Sequence, residues 1–406
     1  MPNFTKAPSC TMLTPPAPIA TRMAQIAPFH VMELMRRAQE LEAMGRRVIH
    51  MEVGEPDFTT PPRVIEAAQA FISQGRVGYT AAMGLPALRE AIAGFYRTRY
   101  GVDVPAHRIV VTAGASGALL LALGVLTSPG DEWLLPDPGY PCNRHFVRLL
   151  EGRPRSVPVL PEHHFQPTVD DLAQHWSATT RGVMLASPGN PTGTLLGRAE
   201  LAALADHVLG AKAALIVDEI YHGLTYGVEA DTVLAHTDRA FVVNSFSKYF
   251  GMTGWRLGWL VVPDGYEREV EKLAQNLFIS PSSPAQYGAL AAFEPETIEL
   301  LESRRAEYSA RRDYLLPALE QLGLRIPATP LGAYYVYCDV SAVTDDSFAF
   351  AMDVLEETGV ALTPGLDFGQ CSPERYIRIA FARPIADLEE GIARLKSYLS
   401  HLKRQQ

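Results

Sequence analysis

This chain predicts an α/β fold, in which helices sandwich a large, mostly parallel sheet and a smaller α+β unit stands beside it. Three observations carry that expectation. From about residue 48 onward, short β-branched runs alternate with helical patterns, the mark of strands joined by crossover helices. Several of those runs are apolar at every position, as expected of strands covered on both faces. After about residue 284 the rhythm changes to longer, charged helical stretches with few strands between them.

In chain order, residues 1–21 are rich in Pro, Thr and Ala and read as a flexible extension. Residues 22–52 read as an arm, whose amphipathic stretch 32–44 docks on the small unit. Residues 53–290 make the large domain. Within it, 86–100 and 199–209 space their apolar residues for helices, while 109–112, 132–135, 182–186, 214–217, 241–244 and 257–262 read as buried strands. Residues 291–406 make the small domain: a long helix over 295–322, an alternating strand over 333–340, a helix over 348–358, strands near 360 and 376–381, and a closing helix over 385–402.

At 406 residues the chain exceeds the usual size of one domain. With 47% hydrophobic and 20% charged residues and a net charge of -9, it lacks the basic stripe that nucleic acid or anionic lipid requires. Cys10, Cys142, Cys338 and Cys371 are far apart, so neither a disulfide framework nor a zinc knuckle is indicated. A reducing, cytoplasmic location fits that usage. No apolar run approaches the roughly 18–20 residues that span a bilayer, and no metal-binding or Walker-type motif occurs.

The chemistry concentrates in a few loops. Asn244-Ser245-Phe246-Ser247-Lys248-Tyr249-Phe250-Gly251-Met252-Thr253-Gly254-Trp255-Arg256 places a lysine, serine hydroxyls and an arginine in one glycine-punctuated turn. A lysine amine forms an imine with an aldehyde, and the other groups suit a phosphate. Asp218 ends a strand, where open sheets bind ligands; taken alone, it serves equally as a helix N-cap. Thr112-Ala113-Gly114-Ala115-Ser116-Gly117-Ala118 joins a strand to a helix, so its backbone N–H groups can meet an anion. Ser187-Pro188-Gly189-Asn190-Pro191-Thr192-Gly193 demands a sharp turn. In Tyr376-Ile377-Arg378-Ile379-Ala380 the arginine lies opposite the two isoleucines.

Together with Gly54, Tyr79 and Tyr140, these motifs resemble the class I and II aminotransferases, fold-type I enzymes that use pyridoxal 5'-phosphate, over about residues 22–400. The resemblance implies a role for each residue. Lys248 would carry the cofactor as an imine and then serve as the base at the substrate's Cα. Asp218 would pair with the ring nitrogen, Tyr221 and Asn190 with the phenolic oxygen, and Tyr140 would stack on the ring. The backbone of Ala115, Ser116 and Gly117, with Ser245, Ser247 and Arg256, would hold the phosphate. Arg378 would grip the substrate α-carboxylate, with Gly54 and Asn190 beside it. Tyr79 would reach the neighbouring site of a homodimer. The implied reaction moves the amino group of an L-amino acid to a 2-oxo acid in ping-pong fashion. The same residues would serve a carbon–sulfur β-lyase, and a non-catalytic cofactor-binding regulator is a further alternative. Residues 26–30 resemble the segment that covers the site in relatives, and their apolar character points to neutral or aromatic substrate side chains.

Overall fold

The computed structural model describes residues 17–405, so most of the expected extension lies outside the described residues. Strand β1 (Ile49–His50) ends the arm. Seven strands then form the central sheet: β2 (Ile109–Thr112), β3 (Glu132–Asp137), β4 (Arg153–Pro158), β5 (Thr180–Ala186), β6 (Ala214–Asp218), β7 (Phe241–Ser245) and β8 (Gly258–Val261). Their order is β2-β8-β7-β6-β5-β3-β4. Neighbours from β7 through β4 run parallel, while β8 runs antiparallel to both β2 and β7. That reversal follows from the connection between β7 and β8, a turn with no crossover helix.

The sequence pattern did not disclose β4. It is an edge strand with two prolines and mostly exposed or half-buried residues, and an edge is where a strand tolerates proline. Strands β6 and β7, by contrast, are buried almost throughout, and β5 is buried over 182–185. Helices Gly114–Leu126 and Glu267–Leu277 pack together, and the first of them lies on β7 and β8.

Beyond the central sheet, β9 (Tyr335–Asp339), β10 (Val360–Ala361), β11 (Thr363–Pro364) and β12 (Tyr376–Ala380) form two small sheets. One is antiparallel in the order β11-β12-β9, and the other joins β10 to β1 in parallel. The arm helix His30–Ala43 packs on helix Ser347–Thr358 and on β11, burying Leu34, Ala38 and Leu41. The long helix Pro295–Gln321 contains Pro317 and packs on the closing helix Ile385–Gln405. Among the described residues, no helix is long and apolar enough to cross a membrane.

Candidate functional site

The carboxyl ends of β5, β6 and β7 lie along one edge of the sheet, because these strands are parallel and in register: Ala186 faces Asp218, and Asp218 faces Val243. Three motifs are thereby delivered together. The chain leaves β5 into the loop carrying Asn190, leaves β6 at Asp218, and leaves β7 into the lysine turn. The Asn190–Pro191 bond is cis, as are Asp137–Pro138 and Ser187–Pro188. A cavity of about 290 Å³ opens at this edge, lined by Asn190, Asp218, Tyr221, Ser247, Lys248 and Arg256 from the large domain. Gly54, Ala115, Ser116, Tyr140 and Arg378 also line it.

Lys248 Nζ donates to Gly54 O at 2.7 Å, and Tyr334 Oη donates to the same carbonyl at 2.8 Å. Burial lowers the pKa of the lysine, and the positive charges of Arg378 and Arg256 act in the same direction. A neutral amine is therefore easier to reach here than in water. The Asp218 carboxylate accepts from Ile220 N at 3.0 Å. Burial pushes its pKa up to about 6, against the pull of the Ile220 N–H and of Lys248. Ionising this carboxyl group is therefore helped by a positive charge beside it.

The part of the cavity beside Gly114 and Arg256 is built on close approach. Gly114 has φ +71°, and a Cβ there would come within 2.7 Å of Arg256 Nη2. Arg256 itself is left-handed at φ 54° and donates to Thr253 O at 3.2 Å. Ser247 lines the cavity but Ser245 does not. The Ser245 hydroxyl sits beneath the turn, 3.0 Å from Leu257 O and 2.9 Å from Ser247 Oγ, and accepts from Ser247 N at 3.0 Å. It shapes the turn from below. Gly117 is likewise not a lining residue: its α-carbon faces Ala113, Thr112 and Phe278, and Leu119 of the same helix reaches the cavity instead. Tyr79 is 83% exposed and away from this chain's cavity lining.

Arg378 does not point to solvent; it is buried. Its guanidinium is held between the Tyr335 and Phe368 rings, at 4.2 and 4.9 Å from their centroids. Nη1 donates to Asn190 Oδ1 at 3.0 Å and Nη2 to Glu52 O at 2.6 Å, while Nε has no hydrogen-bond partner among the described residues. The guanidinium thus keeps an unused donor. Because Asn190 turns its oxygen to Arg378, its amide hydrogens remain available to another acceptor.

Phe29, in the segment 26–30 expected to cover the site, does line the cavity, but sequence reasoning missed Tyr335, Val31, Asp367 and Phe368. Tyr335 Oη is 2.8 Å from Tyr221 Oη, and a Cβ on Gly54 would come within 2.0 Å of it. The available signal was its place in the alternating strand after Gly332-Ala333, on the face that β12 gives to Arg378. Val31, Asp367 and Phe368 line the cavity as well. A smaller space of about 100 Å³ shares Tyr140, Asn190 and Phe368 with this cavity and is lined further by Asn143, Arg144 and Gln166.

Comparison with known proteins places this geometry. A model of the family described as aminotransferase class I and II matches residues 46–395. The valine–pyruvate aminotransferase of Mycobacterium tuberculosis is 41% identical over 378 residues, covering 93% of this chain and 97% of the relative. The (5-formylfuran-3-yl)methyl phosphate transaminase of Methanocaldococcus jannaschii is 35% identical over 388 residues, covering 94% and 100%. Among solved structures, an aminotransferase from Mycobacterium tuberculosis superposes with a TM-score of 0.92 at 40% identity, covering 95% of this chain and 100% of that one. The aspartate aminotransferase of Thermus thermophilus with maleate gives 0.88 at 31% identity, covering 94% and 99%.

Proposed function

Because this chain belongs to the class I and II aminotransferases, we propose that its cavity transfers the amino group of a neutral L-amino acid to a small 2-oxo acid. The enzyme is a pyridoxal-phosphate-dependent aminotransferase. The residues fit that cofactor: an amine of lowered pKa, a buried carboxyl group of raised pKa, and a Gly114–Arg256 cradle that a Cβ would fill. When bound, pyridoxal phosphate supplies an aldehyde for the amino group and a ring that draws electrons from the substrate's Cα.

In this reading each residue has one task. Lys248 Nζ would hold the cofactor's aldehyde, and its amine, when free, would move the proton at the substrate's Cα. Asp218 would partner the ring nitrogen, and Tyr221 with the free amide hydrogens of Asn190 would support the phenolic oxygen. Ala115, Ser116, Ser247 and Arg256 would hold the phosphate, and Tyr140 would face the ring. Arg378 would take the α-carboxylate, with Gly54 giving the room that Tyr335 occupies beside it. Residues 53–290 carry the cofactor, and residues 22–52 with 291–406 form the lobe that brings Arg378 to it.

The observation that carries the substrate class is the part of the cavity lining that lies outside the cofactor loops. Phe29, Val31 and Phe368 are apolar, and Asp367 beside them repels a second carboxylate. The name of the valine–pyruvate relative agrees with a neutral donor and a pyruvate-like acceptor. We take the active unit as a homodimer, supported by large apolar residues left about half exposed: Ile72, Val77, Leu277 and Ile279. Cys142, Cys338 and Cys371 are free, which supports a cytoplasmic location.

The test is the half-reaction of the holoenzyme, followed as loss of the cofactor's absorbance band with single amino acids. Valine, alanine and methionine should react faster than aspartate and glutamate. Faster reaction with the dicarboxylic acids overturns the substrate class. Pyruvate and ammonia from a cysteine conjugate, with no oxo acid present, would replace transfer by β-elimination.

A further inference from the structure

The wall that selects the substrate side chain is not part of the cofactor loops. Phe29 and Val31 flank the first residue of helix His30–Ala43, and Phe29, its N-cap, offers no side-chain acceptor for the first N–H groups. Such groups need a partner. The partner comes from the other end of the chain. Asp367 Oδ1 accepts from His30 N at 2.6 Å and Oδ2 from Val31 N at 2.8 Å, with Asp367 itself only 2% exposed.

Asp367 is in turn pinned through the backbone that runs from it to Gln370. Its own carbonyl accepts from Arg144 Nη2 at 2.7 Å, and the carbonyl of Phe368 accepts from Gly139 N at 2.9 Å. Two residues further on, Gln370 N donates to the Asp137 carboxylate at 2.9 Å. The arm upstream is far less tied: residues 17–25 are exposed, and its attachments include an Arg22–Glu151 ion pair and the bond from Arg148 to Gln25 O.

We propose that Asp367 is a latch, a positioning and specificity-determining residue whose two-oxygen cap on the arm helix sets where Phe29 and Val31 stand against the substrate side chain. The cap fixes two consecutive N–H groups at once, so it holds the helix start in rotation as well as in distance. Phe29 and Val31 then face the cavity from opposite ends of the capped residue. Without the cap, the apolar wall loses its position while Lys248, Asp218 and Arg378 keep theirs. The inference rests on reading this cavity as the amino-acid site, but half of its test does not.

That half is amide hydrogen exchange in the arm. In Asp367→Ala, exchange of His30 and Val31, read on a peptide spanning residues 26–36, should accelerate about tenfold or more, the loss expected of two charge-assisted bonds. Asp367→Asn, which keeps one acceptor oxygen, should fall between. The other half is the half-reaction: KM for valine should rise about tenfold in Asp367→Ala, with KM for alanine and both kcat values within about threefold of wild type. Phe29→Ala, which removes the wall but not the latch, should reproduce the change in the valine-to-alanine ratio with unchanged exchange at Val31, and it stands in if the alanine variant fails to fold. Unchanged exchange in Asp367→Ala overturns the latch whatever the enzyme turns over. An equal rise of KM for valine and alanine, or an unchanged ratio in Phe29→Ala, overturns its role in specificity. Failure of the wild-type enzyme to react with either amino acid instead overturns the functional reading and leaves the exchange result to decide the latch.

Discussion

Asp218 and Glu219 are consecutive carboxylic acids at the end of one strand, yet they face different surroundings. Asp218 lines the cavity. Glu219 is fully buried, accepts from Thr232 Oγ1 and Val233 N at 2.9 Å each, and stands 3.4 Å from His222 Nδ1. Burial raises the pKa of both, to about 6 for Asp218 and about 8 for Glu219, and lowers that of His222 to about 3. The difference lies in the neighbours. Asp218 has Lys248 across the cavity to favour its charge, whereas Glu219 has Asp218 to oppose its own. The fold therefore places charge on the cavity side of the strand end and a neutral acid–imidazole pair behind it. Where a carboxylate keeps its charge is decided by what it faces, not by its position along the strand.

If the cavity face is the chemical one, its variants should lose rate rather than stability. Lys248→Ala should cost about 10⁴-fold or more in amino-group transfer, the upper range for a proton-moving group. Nζ makes its hydrogen bond to Gly54 O within a buried site, so losing a desolvated ammonium should leave the melting temperature of the cofactor-free protein unchanged or raise it by about 2–4 °C. Single-turnover rates and thermal melts read the two effects separately. A clear drop in melting temperature would show that the lysine is built into the fold like Glu219.

This contrast was partly legible in the residues. The lysine turn, the aspartate at a strand end and the arginine in an alternating strand stood out because every one of them interrupts an apolar run with a group that is costly to bury, while the task of each came from the resemblance to the family. The stretches 183–186, 214–217 and 241–243 within β5, β6 and β7 stood out for the complementary reason, being apolar at each position. Three features were not legible. β4 carries an edge strand's composition. Ser245 and Ser247 look alike in sequence, and only the turn's geometry puts one beneath it and the other at the cavity. Asp367 meets the arm across 336 positions of chain, a pairing that no local pattern records.

Arg378 tests the same face with a smaller effect. Arg378→Lys keeps the positive charge but loses the planar fork and the stack between Tyr335 and Phe368. The half-reaction kcat/KM should fall about tenfold to hundredfold, the range of one or two hydrogen bonds to a charged group. The loss should appear for every amino acid alike, because the α-carboxylate is common to all. A loss confined to long side chains would move Arg378 from the carboxylate to the far wall.

The smallest effect on rate, and the most direct test of the hidden face, belongs to Glu219→Gln. The Glu219 pKa is raised from 4.5 to about 8, so the folded chain holds a proton that the unfolded chain releases. Its contribution to stability is fully present below about pH 4.5 and is lost as pH rises through about 8. The groups facing it are Thr232, the Val233 N–H, His222, Asp218, and the hydroxyl-bearing rings of Tyr96 and Tyr100, with Arg99 acting on His222. His222, lowered from 6.5 to about 3, works in the opposite sense: its stability is present above about pH 6.5 and fades on acidification. Asp218, with its pKa raised to about 6, completes its own change about one pH unit above that value. Comparing the two proteins at each pH from 6.5 to 9 cancels what Asp218, His222 and Lys248 add to both and leaves the contribution of Glu219. Over that interval the wild-type protein should lose, relative to Glu219→Gln, on the order of a few kcal/mol of unfolding free energy in urea, while transfer rates stay within about threefold. Parallel pH slopes would mean that Glu219 is already ionised behind the strand end, and the division between a charged face and a neutral one would fall with it.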